Sequence, residues 1–207
     1  MIEFLDHLDQ SVFLFLNGLH NPFMDRLIMI ATKGAVWIPL YLLFLYLVIR
    51  KYKWNTLLII IVVTLMILVS DQLSDLIKNS VHRLRPSQQP GLRVHIVDAY
   101  KGGTFGFYSA HATNSFSVAV FIILILGKYY RYFFIPILLW AILMSYTRIY
   151  LGVHYPGDIL AGMLAGSLIG YLCGKAAIMM ISRLSKKKNN FPPGKDKWKE
   201  EKMNPNP

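Results

Sequence analysis

Charged residues are scarce in this sequence: they make up 16% of the chain, against about 25% in a typical soluble protein. Hydrophobic residues reach 55%, which is the composition of a protein that spans a membrane. Cysteine is scarcer still, because Cys173 is the single one, so an intrachain disulfide is excluded and a buried, unreactive thiol is expected. The opening residues MIEFLDHLDQ lack the basic stretch and apolar core of a cleavable signal peptide, so we expect the spans themselves to direct insertion.

Positive charge is plentiful, with a formal net charge of +11. Eight Lys and Arg residues from Arg183 onward, against three acidic ones, supply +5 of that excess. The other basic residues flank apolar runs or lie in the motifs below, and none forms a nucleic-acid-binding signature, so nucleic acid is not an expected partner. Residues 183–207 combine Pro, Asn, Gly and mixed charge, which predicts a basic, disordered cytoplasmic tail.

Five apolar stretches predict membrane spans. The four clearest are roughly residues 54–77, 111–127, 132–149 and 157–181. The first span has its apolar core at 35–49, which rises only about 22 Å against a hydrocarbon thickness of about 30 Å, so part of 23–32 is expected to belong to it. Residues 1–22 show a helical apolar period and predict an amphipathic interfacial helix. The expected fold is an all-α, polytopic membrane bundle of about five transmembrane helices plus this N-terminal helix.

Basic connections mark one side of the predicted bundle. The short segments 50–53 and 128–131 and the tail all fall on that side, which the positive-inside rule makes cytoplasmic. The polar segment 78–110 and the turn 150–156 then face outward. We therefore expect a multi-pass protein whose C-terminus is cytoplasmic.

The second span ends in ionisable residues, which are costly inside a membrane and usually pair or line a pathway. Asp71, Asp75, Lys78, His82 and Arg85 are spaced four, three, four and three apart, so on a continuing helix all five share one face directed into the bundle. Asp75 lies within pairing reach of Lys78. The alternative for the two aspartates is a solvated face on a helix that leaves the bilayer.

Ser109 and His111 open the third span. Ser109 stands where an N-cap is expected, and the free N–H groups and positive dipole end of a helix N-terminus favour a bound phosphate. Taken alone, these two residues fit simple helix capping better than chemistry.

The turn between the fourth and fifth spans combines a cation, a histidine and a carboxylate. Arg148 ends the fourth span, and His154 and Asp158 lie on either side of a Pro-Gly corner, close enough for the carboxylate to hold an imidazole N–H. A structural hydrogen bond or half of a metal site are the alternatives. The neighbouring arginines and lysine would repel a cation, so we expect no metal.

Small residues recur at every fourth position of the fifth span, namely Gly162, Gly166, Gly170 and Gly174. Such steps permit close approach of another helix. We interpret them as internal packing, with a homo-oligomer through this face as the alternative.

Together the three polar segments resemble the type 2 phosphatidic acid phosphatase family, whose motifs read K-x6-RP, PSGH and SR-x5-H-x3-D. The matching residues here are Lys78, Arg85 and Pro86; Ser109, Ala110 and His111; and Arg148, His154 and Asp158. Three positions depart from the motifs: Tyr108 replaces the proline, Ala110 the glycine and Thr147 the serine. None of these changes removes a cation or a proton-transfer group, so an active enzyme is expected.

The resemblance implies a metal-independent lipid phosphatase domain over residues 23–182 that needs no cofactor. In it, His154 is the nucleophile that forms a phosphohistidine, Asp158 orients it, and His111 is the general acid and base. The implied phosphate-binding residues are Lys78, Arg85, Ser109 and Arg148. His82 and Arg83 have no family role and are interpreted as local structure or as the rim of the site.

The resemblance also implies a lipid-linked phosphate substrate. The expected location is the inner membrane, and because the three motifs lie at the outward ends of the spans, the active site is expected to face the periplasm or cell exterior. Undecaprenyl diphosphate is the first expectation, because the compact five-span form is similar to bacterial undecaprenyl diphosphate phosphatases. Lipid A phosphatase and phosphatidylglycerophosphate phosphatase are the alternatives. Among enzymes the runner-up is a vanadate-dependent haloperoxidase, which shares the same phosphate or vanadate pocket. A non-enzymatic membrane scaffold or transporter is the alternative from a different class.

Overall fold

A computed structural model describes residues 2–189 and shows a bundle of seven α-helices over that part of the chain. The helices are α1 (Ile2–Gly18), α2 (Pro22–Ala31), α3 (Ile38–Tyr52), α4 (Thr56–Val81), α5 (Ala110–Leu126), α6 (Phe134–Tyr150) and α7 (Pro156–Asn189). Within the described residues the one β-type pairing is an isolated bridge between Leu84 and Phe105. The all-α membrane fold predicted from the sequence is confirmed.

Five of these helices, α3 to α7, form the membrane bundle. Gly34–Val81, Arg131–Tyr150 and Pro156–Lys186 are long and apolar enough to cross a membrane, and Ala110–Leu126 is a shorter apolar helix. The first of these stretches contains both α3 and α4, joined by a 3-10 turn at Lys53–Asn55. Many large apolar side chains on these helices are exposed, because the surface that would meet water in a soluble protein meets lipid here.

Helix α2 is separate from the first span, and the prediction that part of 23–32 continues that span was wrong. The side chain of Asn21 caps α2 by accepting from the Met24 N–H, and the helix ends at Ala31. A 3-10 turn at Gly34–Trp37 then leads into α3, and the Trp37 indole donates to the Ala31 carbonyl at 2.7 Å. The turn and α3 together rise about 30 Å, which is the hydrocarbon thickness, without any of residues 23–32.

Helices α5 and α7 make the closest helix pair. A methyl group at Gly166 would overlap the carbonyl of Thr113, and one at Gly170 would overlap the carbonyl of Ser117. Only hydrogen side chains allow the two backbones to approach this closely. The glycine face is therefore covered by α5 of the same chain and is not free to contact a second copy.

The basic connections meet at one end of the bundle. Lys51 lies over the rings of Tyr129 and Tyr130, with its Nζ 4.9 and 5.4 Å from their centroids. At the same end α7 continues as a helix to Asn189, seven residues beyond the predicted boundary at 182. Residues 190–207 of the predicted tail lie outside the described part of the chain.

Helix α1 packs on the opposite end of the bundle. Phe13 is fully buried and makes an edge-to-face contact with Tyr155, with ring centroids 5.3 Å apart. The Asn17 amide donates to the backbone carbonyls of His95, Ile149 and Tyr150 at 2.8 to 3.2 Å. These contacts tie the N-terminal helix to the end of α6 and to the turn that carries His154.

Candidate active site

The end of α4 supplies the first cation of the site. Lys78 forms an ion pair with Asp75 at 3.1 Å, as predicted; the Lys78 side chain is 15% exposed, whereas that of Asp75 is 67% exposed. The helix stops at Val81, and His82 caps it in the left-handed conformation with φ 53°. The expected single face directed into the bundle was thus wrong for Asp75 and His82, because the first is solvated and the second ends the helix.

Arg85 reaches the site from an extended segment. Its backbone N–H donates to the Thr104 carbonyl at 3.1 Å, and its Nε donates to the Phe105 carbonyl at 3.0 Å. The Gly106 N–H returns a bond to the Arg83 carbonyl at 2.8 Å. These bonds fix the Arg85 side chain against the loop that leads into α5.

Ser109 and His111 lie at the start of α5. The fully buried Ser109 is its N-cap, because the Ser109 hydroxyl accepts from the Ala112 N–H at 3.4 Å. The Ser109 N–H donates to the Asp158 carbonyl at 3.2 Å, which joins the start of α5 to the start of α7. His111 is exposed and lies within electrostatic range of Lys78, Arg85, Arg148 and His154. The three polar segments of the sequence therefore meet here.

Arg148 is 2% exposed, and its Nε and Nη2 atoms are buried without a hydrogen-bond partner among the described residues. An unmet charged donor in a buried position is costly, and a bound oxyanion satisfies it. The unmet nitrogens of Arg148 are the strongest indication in the structure that this pocket is built for a phosphate.

His154 and Asp158 are both buried, with exposed fractions of 2% and 0%. Oδ2 of Asp158 lies 3.4 Å from Nδ1 of His154 and accepts from the Tyr155 N–H at 3.0 Å. Nδ1 is thus the ring nitrogen held by the carboxylate, which leaves Nε2 as the one available to react. This is the pairing expected from the sequence.

Gly106 shows how closely the segments converge. A Cβ atom at this residue would lie 3.0 Å from Oδ2 of Asp158, 3.4 Å from Cγ of Arg85 and 3.6 Å from Nδ1 of His154. A glycine lets the backbone of the loop pass directly over the histidine and its carboxylate.

The charges around His154 favour its neutral form. Burial lowers the pKa of His154 below its ordinary value, and the positive charges of Arg85 and Lys78 lower it further, against the hydrogen bond and charge of Asp158. A neutral imidazole carries the lone pair that a nucleophile needs.

Arg83, which the sequence predicted only as local structure or rim, contacts the carboxylate of the candidate site directly. Its Nη1 donates to Oδ1 of Asp158 at 2.8 Å, and its Nη2 donates to Asp9 at 2.8 Å and to Asp6 at 2.9 Å. Its guanidinium also lies over the Tyr155 ring, 4.4 Å from the centroid. Burial disfavours its charge, but the carboxylates outweigh burial and raise the pKa of Arg83 above its ordinary range. The signal in the sequence was a pair of acids on the interfacial helix with no assigned partner.

A cavity of about 670 Å³ begins beside His111 and runs into the bundle between α3 and the helices α4, α5 and α6. Its lining is mainly apolar. Through His111, the candidate site therefore adjoins a space that can hold hydrocarbon.

Comparison with known proteins identifies the family of this chain. The sequence model of a family described as the PAP2 superfamily matches residues 58–181. A relative from Bacteroides thetaiotaomicron, described as a lipid A 4′-phosphatase, is 41% identical over 189 residues, which is 89% of this chain and 83% of that protein. A second lipid A 4′-phosphatase, from Porphyromonas gingivalis, is 32% identical over 188 residues, covering 88% of this chain and 78% of that protein.

A solved structure shares the fold. The crystal structure of a transmembrane PAP2-type phosphatidylglycerolphosphate phosphatase from Bacillus subtilis superposes with a TM-score of 0.63 at 22% identity. The superposition covers 82% of this chain and 84% of that one. At this identity the likeness concerns the arrangement of the helices.

Proposed function

The chain belongs to the PAP2 superfamily and is a membrane phosphatase of lipid substrates, and from that premise we propose that it removes the 4′-phosphate of lipid A. The observation that carries the proposal is the 41% identity to a lipid A 4′-phosphatase over 89% of this chain. This corrects the first expectation of undecaprenyl diphosphate, because the long matches favour the alternative that was set second.

His154 is the proposed nucleophile. Its Nε2 attacks phosphorus in line with the departing sugar oxygen, so that an N–P bond forms as the P–O bond breaks. Asp158 holds Nδ1–H and stabilises the positive charge that develops on the ring. The 3.4 Å contact between these two buried side chains supports these roles.

His111 is the proposed general acid. It protonates the departing oxygen, which is otherwise a poor alkoxide leaving group, and then takes a proton from the water that cleaves the phosphohistidine. Its exposure at the mouth of the cavity, with the cations of the site around it, supports contact with both the leaving group and water.

The phosphoryl oxygens are held by cations and by the start of α5. We assign Lys78, Arg85 and Arg148 to the charge that builds up in the transition state, with the Ser109 cap presenting the free N–H groups of the helix. The unmet Nε and Nη2 of Arg148 support this assignment most directly.

The proposed orientation places the active site on the periplasmic or outer face of the inner membrane. It rests on the basic connections, which meet at the end of the bundle opposite to the site, where Lys51 lies against Tyr129 and Tyr130. A reporter that is active only in the cytoplasm should be active when it is fused after residue 207. Detection of that reporter outside the cell would reverse the orientation.

The substrate is tested with purified protein in detergent on lipid A that carries phosphates at both ends. Mass spectrometry should find loss of the 4′-phosphate, with no loss from a His154→Ala variant and an undiminished rate in the presence of a chelator of divalent metals. Undecaprenyl diphosphate and phosphatidylglycerophosphate complete the panel. Rapid hydrolysis of either one beside intact lipid A would contradict the proposal.

A further inference from the structure

Asp71 and Asn114 form a polar pair in the cavity below the phosphate pocket. Oδ1 of Asp71 accepts from the Asn114 amide N–H at 2.7 Å, and both residues line the cavity. Oδ1 of Asn114 is buried and has no hydrogen-bond partner among the described residues. The pair thus presents an unmet acceptor beside a carboxylate.

The depth of the pair follows from helix geometry. Asn114 lies three residues after His111, one turn and about 4.5 Å deeper along α5. Asp71 lies seven residues before Lys78, two turns and about 10.5 Å below it on the same face of α4. The pair therefore lies one to two helical turns below these two residues, on the side where the lipid chain attached to a bound phosphate would enter the cavity.

Below the pair the cavity is built for hydrocarbon. Phe44, Val48, Ile59 and Val63 are among the apolar residues that line it. A lipid tail that occupied this space would have to pass the Asp71–Asn114 pair on its way from the phosphate.

A role in joining α4 to α5 explains the hydrogen bond between Asp71 and Asn114 but not the unmet oxygen of Asn114. Interhelical hydrogen bonds do join membrane helices, and the contact at 2.7 Å joins α4 to α5. That role uses the amide donor of Asn114 but leaves its oxygen unmet in a buried position, which is unfavourable. A ligand that brings a hydrogen-bond donor would satisfy the Asn114 oxygen and the carboxylate together.

We infer that the Asp71–Asn114 pair is a head-group subsite that binds a hydroxyl or amide N–H donor of the lipid, within a few bonds of its phosphate. This inference rests on the proposed function and narrows the substrate class. An acylated amino-sugar phosphate such as lipid A offers such donors. An isoprenoid phosphate offers only hydrocarbon at this position. It would displace water from the Asp71 carboxylate without providing a hydrogen-bond donor in its place, which is unfavourable.

The inference is tested on two lipid phosphates that differ in this feature. Ceramide 1-phosphate carries a hydroxyl and an amide N–H near its phosphate, and phosphatidic acid carries neither. We expect wild-type protein to favour ceramide 1-phosphate in kcat/KM. In an Asp71→Leu/Asn114→Leu variant that preference should fall by about tenfold or more, the value of a hydrogen bond to a charged group.

Two further variants separate binding from folding. Asp71→Asn keeps the size and an interhelical hydrogen bond but loses the charge, so it should reduce the preference less than the double variant. Gln72→Leu makes the same kind of change at the same depth on an exposed face of α4 and should leave the preference unchanged. Hydrolysis of a short, soluble aryl phosphate reports the phosphate pocket and should survive in all three variants.

Each other result overturns the inference. If the double variant lost kcat/KM equally on both lipids, or lost activity on the aryl phosphate, the pair would serve only to join α4 to α5. An unchanged preference in the double variant, or equal rates in the wild type, would leave the pair without a role in recognition. Lipid A separates the two proposals: if it is not hydrolysed while the variants still alter the preference, the lipid A assignment fails and the subsite stands.

Discussion

Arg83 donates to one carboxylate oxygen of Asp158 while His154 lies against the other. The Arg83 bond measures 2.8 Å to Oδ1, and Oδ2 is 3.4 Å from the imidazole Nδ1. Arg83 is in turn held by Asp9, whose other oxygen accepts from the Gly157 N–H at 2.7 Å. The N-terminal helix thus fixes the carboxylate that fixes the nucleophile.

Replacement of Arg83 should therefore impair turnover more than binding. We expect Arg83→Gln to lower kcat by about 10- to 100-fold with little change in KM, because a small displacement of Asp158 misaligns His154. The substitution also removes the positive charge that pairs with Asp158, so the carboxylate should favour the charged imidazole more strongly and the pKa of His154 should rise. The acid limb of kcat/KM should therefore move to higher pH, and this shift distinguishes positioning from general loss of structure.

Matched variants test the same chain of contacts. Arg83→Lys keeps the charge and should recover part of kcat, and Asp9→Asn should have a weaker effect of the same kind. Asp6 is the more exposed of the two partners, with half of its side chain in solvent, so Asp6→Asn should have little effect. An Arg83→Gln enzyme with wild-type kcat and pH profile would show that the contact is incidental.

The spans and the three motif segments could be predicted because each signal is local. Each apolar run is continuous in the sequence, and a helix cap or a histidine four residues before an aspartate is visible within one segment. The interpretation of the glycines as packing was also local, since Gly162, Gly166 and Gly170 repeat at the period of one helix face.

The contacts of Arg83 and the pair Asp71–Asn114 could not be predicted, because each joins residues far apart in sequence. Arg83 and Asp9 are 74 positions apart, and Asp71 and Asn114 are 43 positions apart. The prediction that α4 continues as far as Arg85 failed for a different reason. The spacing to Arg85 fits a helix, but His82 adopts a left-handed cap that no apolar pattern reveals.

The rate lost on replacing His111 should depend on how readily the leaving group departs without a proton. With a lipid phosphate, a His111→Asn enzyme should be slower by about 10²- to 10⁴-fold, because the alkoxide leaves without a proton. With 4-nitrophenyl phosphate the leaving group needs no proton, so the first step should remain fast while hydrolysis of the phosphohistidine stays slow. Rapid mixing should then show a burst of nitrophenol, which is absent in His154→Ala. Equal losses on both substrates, without a burst, would contradict the role of His111 as acid.

Replacement of Gly166 by alanine should destabilise the protein. A change from glycine to alanine in a helix normally stabilises it by about 1 kcal/mol, but here the methyl group would overlap the Thr113 carbonyl. Overpacking of this kind costs about 1–3 kcal/mol, so Gly166→Ala should lower the thermal midpoint in detergent and reduce activity by displacing α5 from α7. Gly34→Ala is the control, because no atom lies within 4 Å of a methyl group there. Equal midpoints for the two variants would show that α5 yields at little cost.

The lowered pKa of His154 makes a prediction about pH. Burial and the neighbouring cations favour the neutral imidazole, so the nucleophile should stay unprotonated below its ordinary value of 6.5, and the acid limb of kcat/KM should lie below that pH. A phosphate monoester also titrates near pH 6, so two substrates with different phosphate pKa values are needed. If the acid limb reports His154, its apparent pKa should be the same for both substrates and should move to higher pH in Arg83→Gln. A limb above pH 6.5 in the wild type would mean that the charge of Asp158 outweighs burial, and the histidine would then be charged for part of the physiological range.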